Sequence, residues 1–303
     1  MATTKEIKNR IGSVKDTQKI TNAMYLIAST KLRKAKSELE LTRPFFHALQ
    51  TEIKRIFAIS EDVENKYFYP ATGEVDLPGS YGYLVITADK GLAGAYNQNI
   101  IKETLHLMKM HENPKLFVVG EYGRHYFTAH NIPIERSFLY TAQNPTIGRA
   151  REIASILLDL FDRKELAKIF IIYTDMRGAI STQTCSADLL PFRREKFIAS
   201  EKYEGKHSFE FTPSMEAVLD SIVPSYLTGY IYSALIDSFC SEQNARMNAM
   251  DSSNRNAQEL LEELSVQYNH IRQDAITQEI TEVSSGAKSM KKKARKSVKG
   301  GVN

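Results

Sequence analysis

Past Pro224 the chain has no further proline, and before Gly286 only one glycine, Gly229. The two residues that break helices are thus almost withheld from about sixty consecutive positions. Other absences narrow the function. No apolar run approaches the roughly 18 residues needed to cross a bilayer. The N-terminus turns polar within six residues, so neither a signal peptide nor an Arg- and Ser-rich transit peptide is expected. Cys185 and Cys240 are the only cysteines and fall in different predicted elements; both are expected to be reduced. From Ala287 to Asn303 there is no acid, against seven bases: Lys288, Lys291, Lys292, Lys293, Arg295, Lys296 and Lys299. The net charge of +4 becomes −3 without those seven. A nucleic-acid-binding body would keep its positive charge without its tail.

What fills the space from Ser225 to Ala287 is a heptad seam. It runs Ile236, Cys240, Gln243, Met247, Met250, Asn254, Ala257, Leu261, Leu264, Tyr268, Ile271, Ala275, Gln278. Steps of four and three held without a slip predict one long helix with a coiled-coil face, roughly 90 Å in length. No compact domain of this size has a core that long, so the helix must find a partner. Gln243, Asn254 and Gln278 weaken the seam; polar seam residues set register at a cost in stability.

Lys5 to Leu41 repeats the pattern, with Ile7, Ile11, Val14, Gln18, Thr21, Tyr25, Ala28, Leu32, Ala35 and Leu39 in the seam. Ile20, Met24 and Ile27 form a second apolar edge beside it, so two partners are expected, a helix of this chain and a surface of another. Thr3 or Thr4 is the expected cap, with Glu6 in the first turn. Pro44 predicts a kink rather than an end, because Phe45, Leu49, Ile53, Ile56 and Phe57 resume helical spacing. Up to Arg43 there are ten Lys or Arg against four Asp or Glu, clustered at Lys31, Arg33, Lys34 and Lys36. Singly these are ordinary solvated lysines and arginines; together they fit an acidic ring on a partner.

Between these helices the period changes. Glu61 to Ser80, with Pro70, Gly73, Pro78 and Gly79, reads as a linker. Tyr83–Ile86, Lys115–Val119 and Ile169–Tyr173 read as buried strands, and Ala95–His111, Gly123–His130 and Thr146–Phe161 as helices. Gln183–Leu190 is a candidate antiparallel edge strand. The order predicts an open, Rossmann-like α/β sheet, inserted between two long terminal helices that pair as an antiparallel coiled coil. Phe209, Phe211 and Pro213 then lead into a short helix over Ser214–Val223, before the long one. The turn Thr87–Gly94, after a strand and before a helix, is where such folds hold a pyrophosphate. It has neither GxGxxG nor GxxxxGK[ST], and the seven histidines form no HExxH. No catalytic residue, cofactor or metal site is expected. The remaining enzyme reading is a Rossmann-like nucleotide-binding enzyme with a helical dimerisation arm.

The helix end Ile276-Thr277-Gln278-Glu279, with Glu282 and Gly286-Ala287, resembles the C-terminal signature of the γ subunit of F-type ATP synthase. Ser241-Glu242-Gln243, Ala245-Arg246-Met247 and Ala249-Met250-Asp251 resemble the same family. So do Arg10-Ile11, Thr17-Gln18-Lys19-Ile20-Thr21, Ala23-Met24 and Lys31-Leu32-Arg33-Lys34-Ala35, and in the middle Gly82–Lys102, Val118–Phe127 and Leu189-Leu190-Pro191. The family usually carries Lys where this chain has Asn22, and often an acid near Thr212. The resemblance covers nearly the whole chain and implies a rotary shaft without catalytic residues. Its implied partners are the α and β subunits of an F1 sleeve, an ε subunit and a membrane c-ring. Its implied place is the cytoplasmic face of a bacterial plasma membrane, without insertion into the bilayer and without nucleic acid. Met24, Arg246, Gln273, Thr277 and Glu279 are the contacts it implies, with Lys31, Arg33 and Lys34 behind them. The expected division is a helix over 1–60, a sheet domain over 75–209, a helix over 210–287 and a disordered basic tail over 288–303.

Overall fold

The first helix, α1, runs Thr4–Ile59 in the computed structural model, which describes residues 3–60, 63–70, 77–139, 142–177, 181–197 and 210–299. Thr3 starts it with a reciprocal cap. The Thr3 N–H donates to Glu6 Oε2 at 2.8 Å, and the Glu6 N–H donates to Thr3 Oγ1 at 3.3 Å, so two orphan donors are satisfied together. Ile7, Thr21, Ala28 and Ala35 are buried, and Ile11, Val14, Gln18, Tyr25, Leu32 and Leu39 half-buried; the predicted seam is the packed face. Ile20 and Ile27 are exposed. Pro44 sits inside α1 without ending it. A mid-helix proline costs about 3 kcal/mol. Ile53, Ile56 and Phe57 are fully buried beyond it, at about 1.5–3 kcal/mol each, so the helix continues.

Glu61, Gly73 and Phe209 lie outside the described residues, as do positions 75 and 209 and the last four residues. The rest of the linker is less of a linker than its prolines suggest. Val63, Tyr67, Phe68 and Tyr69 are buried. Phe68 forms an isolated parallel bridge with Phe192 and packs edge-on to Phe57 at 4.9 Å and Phe197 at 5.5 Å. Aromatic burial of this kind is invisible to a reading based on glycine and proline.

The sheet follows: β1 Tyr81–Ile86, α2 Tyr96–Met108, β2 Pro114–Val119, α3 Glu121–Ala129, β3 Arg136–Phe138, α4 Ile147–Asp162, β4 Lys168–Arg177 and β5 Ser181–Leu190. Strand order is β3-β2-β1-β4-β5, parallel except for β5, which runs antiparallel to β4. This is the predicted open α/β sheet. Strand β3 was not predicted; three residues, Arg-Ser-Phe, are too few to show a period. Alternation along each strand builds two cores. Tyr83, Val85, Val118 and Ile172 face α2 and α3 through Ile100, Ile101 and Phe127. Leu84, Ile86, Phe117 and Ile171 face the other side, where Ile153 and Leu157 of α4 pack with Ile53 and Phe57 of α1.

After a short 3-10 turn at Arg194–Lys196 the last helix, α5, runs Met215–Lys299. Ser214 caps it, its Oγ accepting from the Ala217 N–H at 3.2 Å. The sequence ends a short helix at Val223 and starts the long one after Pro224; the structure has a single helix. Leu219, Val223 and Leu227 flank that proline and are fully buried, and their burial outweighs its cost as at Pro44. At the far end α5 continues through the predicted disordered tail to Lys299. Lys, Arg and Ala are good helix formers, and cations suit a helix C-terminus.

The chain divides into two compact units, 1–25 with 250–303, and 26–249. In the first, α1 and α5 are joined by amides: Thr21 Oγ1 bonds Asn254 Oδ1, and Asn254 Nδ2 donates to Asn22 Oδ1 at 2.6 Å. In the second, Phe46 lies against Gly229 and 6.3 Å from Tyr232.

Candidate partner-contact surface

Met24, Gln273, Thr277 and Glu279 belong to the first unit. Met24 is half-buried between the exposed Ile20 and Ile27. The register set by Thr21 and Asn254 puts Thr4 opposite Ile271. Gln273, Thr277 and Glu279 lie past that point and are exposed. So are Ala275 and Gln278, the last two seam positions, because α1 starts too late to meet them. From Arg272 to Lys299, about 40 Å of helix, no described segment of this chain faces α5. Ile276, Ile280, Val283 and Met290 stand 43 to 75% exposed along it, at steps of four, three and seven. Met24 lies opposite Asp251, about six turns from Gln273; these residues are spread along a rod and make no single patch.

Arg246, Lys31, Arg33 and Lys34 belong to the second unit. Lys31, Arg33 and Lys34 are exposed, and Lys34 only grazes Glu38 at 3.8 Å. An exposed pair at that distance contributes about 0–1 kcal/mol. Arg246 is different. Its side chain is 11% exposed and its Nη1 donates to Glu242 Oε1 at 2.6 Å. Its Nη2 donates to the carbonyl oxygens of Gly91 at 3.0 Å and Lys90 at 3.5 Å. It therefore ties the turn after β1 to α5, and any partner must share it. Burial raises the Glu242 carboxyl above its ordinary value, against the lowering by Arg246 and with a further push from Asp89. Sequence analysis passed over Glu242 as a functional residue. Its spacing to Arg246, acid four residues before base on one helix, was a usable signal.

The turn Thr87–Gly94 packs on the start of α3 and accepts its first hydrogen bonds. The Glu121 N–H donates to Asp89 Oδ1 at 2.9 Å, the Tyr122 N–H to the Ala88 carbonyl at 3.0 Å and the Gly123 N–H to Thr87 Oγ1 at 3.0 Å. The first three N–H groups of α3, the helix after β2, are thus engaged by the turn after β1. Gly120, with φ of 95°, approaches the Thr87 carbonyl so closely that a Cβ would collide with it.

The family usually has a lysine at Asn22, where this chain's amide accepts from Asn254. Thr21, Asn22 and Asn254 join the two helices side chain to side chain, a polar clasp within the seam.

Comparison with known proteins agrees with this architecture. The family model described as ATP synthase matches residues 3–290. The ATP synthase gamma chain of Acetivibrio thermocellus is 41% identical over 297 residues, covering 96% of this chain and all of that one. The gamma chain of Caldanaerobacter subterraneus is 42% identical, covering 93% and 98%. The relative in Acetobacterium woodii, 35% identical, is named sodium ion specific. Among solved structures, the central stalk and c-ring of Tetrahymena thermophila mitochondrial ATP synthase contains a chain 26% identical, with TM-score 0.57, covering 77% of this chain and 98% of that one. A rotor chain of Euglena gracilis ATP synthase, 16% identical with TM-score 0.61, shares the fold. With two paired terminal helices, an inserted sheet and near full-length relatives of one kind, the chain belongs to the ATP synthase γ-chain family, the central-stalk subunit of that complex.

Proposed function

We propose that this chain is the shaft that couples ion flow through a membrane ring to conformational change at catalytic sites on β subunits. The chain itself is a subunit and not the catalyst. The observation that carries the proposal is the stretch of α5 past Ile271, a long helix with apolar and polar residues exposed and no partner among the described residues of its own chain. A sleeve of alternating α and β subunits would cover it. An ε subunit and the membrane ring are the other proposed partners. The helix pair, 1–60 with 210–287, would act as the rod, with the sheet domain over 75–209 inserted between its helices and the basic tail over 288–303 following it.

A rod of this kind acts by binding the states of a subunit unequally. It shifts a catalytic site only by its differential affinity for those states, and about 1.4 kcal/mol is needed for each tenfold change in nucleotide affinity. Several shallow contacts can sum to that and still release. Lys31, Arg33 and Lys34, exposed and weakly paired, suit such contacts. Met24, Arg246, Gln273, Thr277 and Glu279 complete the proposed set. No helix of the described residues is long and apolar enough to cross a membrane. The proposed place, in keeping with the bacterial relatives, is peripheral, on the cytoplasmic face of a plasma membrane.

Gln273→Ala is expected to slow ATP turnover of the assembled complex several-fold and leave the melting of the isolated chain unchanged. Gln273 is exposed, so the chain loses no packing. Wild-type turnover in the complex would remove Gln273 from the contact set. Truncation after Ala287 is expected to leave turnover within about twofold, because the added charges are solvent-screened. A large change would make the extension a tether or brake.

A further inference from the structure

Between α1, β4 and the start of α5 lies a cavity of about 270 Å³. Its walls include the rings of Phe46, Tyr173, Tyr226 and Tyr230, with Asp237 and Arg43 as the charged groups. The ring hydroxyls are already engaged: Tyr173 bonds Tyr230, and Tyr226 bonds Gln50. Asp237 is not. Among the described residues no hydrogen bond or ion pair reaches its carboxylate, and Arg43 acts on it only through space. A half-buried carboxylate with no donor among the described residues of its own chain favours a cation in the room beside it.

The walls choose the kind of cation. A divalent metal needs several oxygen or nitrogen ligands, and no group of metal-binding side chains occurs among the described residues. An anion would meet Asp237. Aromatic rings attract an ammonium group and accept methylenes equally well. We propose that this cavity binds a small alkylammonium ion of the diamine or polyamine class, its nitrogen at Asp237 and its methylenes against Phe46, Tyr173 and Tyr230. Such a ligand touches α1, β4 and α5 together and braces the sheet against the helix pair.

The groups facing Asp237 are Arg43 and His47 from α1, Tyr173 and Asp175 from β4, and Tyr230 on α5 itself. Burial, then Asp175, push the Asp237 carboxyl up to about 6, and Arg43 opposes them. Amine binding therefore needs a pH above about 6, where the carboxylate is charged.

The test is calorimetry on the full-length chain with putrescine and spermidine, at constant ionic strength, with 1,4-butanediol as the neutral control. Saturable binding of one amine per chain is expected at pH 8, weaker at pH 5, and at least about tenfold weaker in Asp237→Asn, a loss of about 1.4 kcal/mol. The asparagine occupies the same space without charge, so folding is retained, and circular dichroism checks it. Tyr230→Leu is expected to weaken binding with the carboxylate still in place. No saturable binding, equal binding by Asp237→Asn, or equal binding of butanediol would each overturn the site.

Discussion

Gly229→Ala is expected to destabilise the chain by about 2–3 kcal/mol, although helix propensity alone points the other way. Alanine in a helix interior is favoured over glycine by about 1 kcal/mol. The environment reverses the sign. A Cβ at Gly229 would fall inside the ring of Phe46, against its Cδ1, Cε1 and Cγ. Phe46 cannot simply leave, because its ring packs 5.3 Å from Phe45 and 6.3 Å from Tyr232. The glycine, unusual in so long a helix, is there so that α1 and α5 can approach. Thermal melting of the full-length chain reads the effect, a fall of several degrees for a protein of this size. A double-mutant cycle isolates its cause. In a Phe46→Ala background the collision is gone and Gly229→Ala should become stabilising. If Gly229→Ala stabilises the otherwise wild-type chain, the close approach of the two helices is wrong.

Arg246→Ala is expected to cost about 3–5 kcal/mol at pH 8, the usual penalty for stranding one half of a buried ion pair. Glu242, 8% exposed, would lose its counter-ion and face Asp89, and the carbonyls of Lys90 and Gly91 would lose a donor. Family resemblance alone predicts slower turnover without unfolding for this variant. The buried pair adds a stability loss, so turnover must be compared below the variant's melting temperature. Protonation separates the two effects. The folded-state pKa of Glu242 is raised above its unfolded value. Its contribution to stability is therefore fully present below the unfolded pKa and is lost as pH rises through the folded one. Without Arg246 its two lowering influences vanish and only the weaker one of Lys31 opposes burial and Asp89, so the window of loss widens upward. The variant should lose less stability at pH 5 than at pH 8, and Glu242→Gln added to it should recover much of the difference. A deficit that ignores pH and is untouched by Glu242→Gln would show that the pair is not what holds the turn.

The two glycines of α5 show how differently one residue type can behave. Nothing within 4 Å would meet a Cβ at Gly286, so helix propensity governs there, whereas Gly229 is governed by a ring 183 positions away in sequence. Contacts of that range are absent from any window of residues. The same holds for the candidate contacts. The exposure of Gln273, Thr277 and Glu279 follows from where α1 begins, and the engagement of Arg246 follows from a turn near Gly91.

By itself the sequence determined the two long helices, their seams, the strands of the central sheet and the absence of a phosphate-binding glycine pattern. These are local properties: side-chain period, breakers and motif spacing act over a few turns or one strand. Tertiary structure alone decided that Pro224 is carried inside a helix, that Phe68 belongs to a core, and that three residues at Arg136–Phe138 add an edge to the sheet. It also decided which charged side chains are spent within the chain and which remain for partners. Each of those outcomes depends on burial by segments distant in sequence, whose free energy exceeds the local preference it overrides.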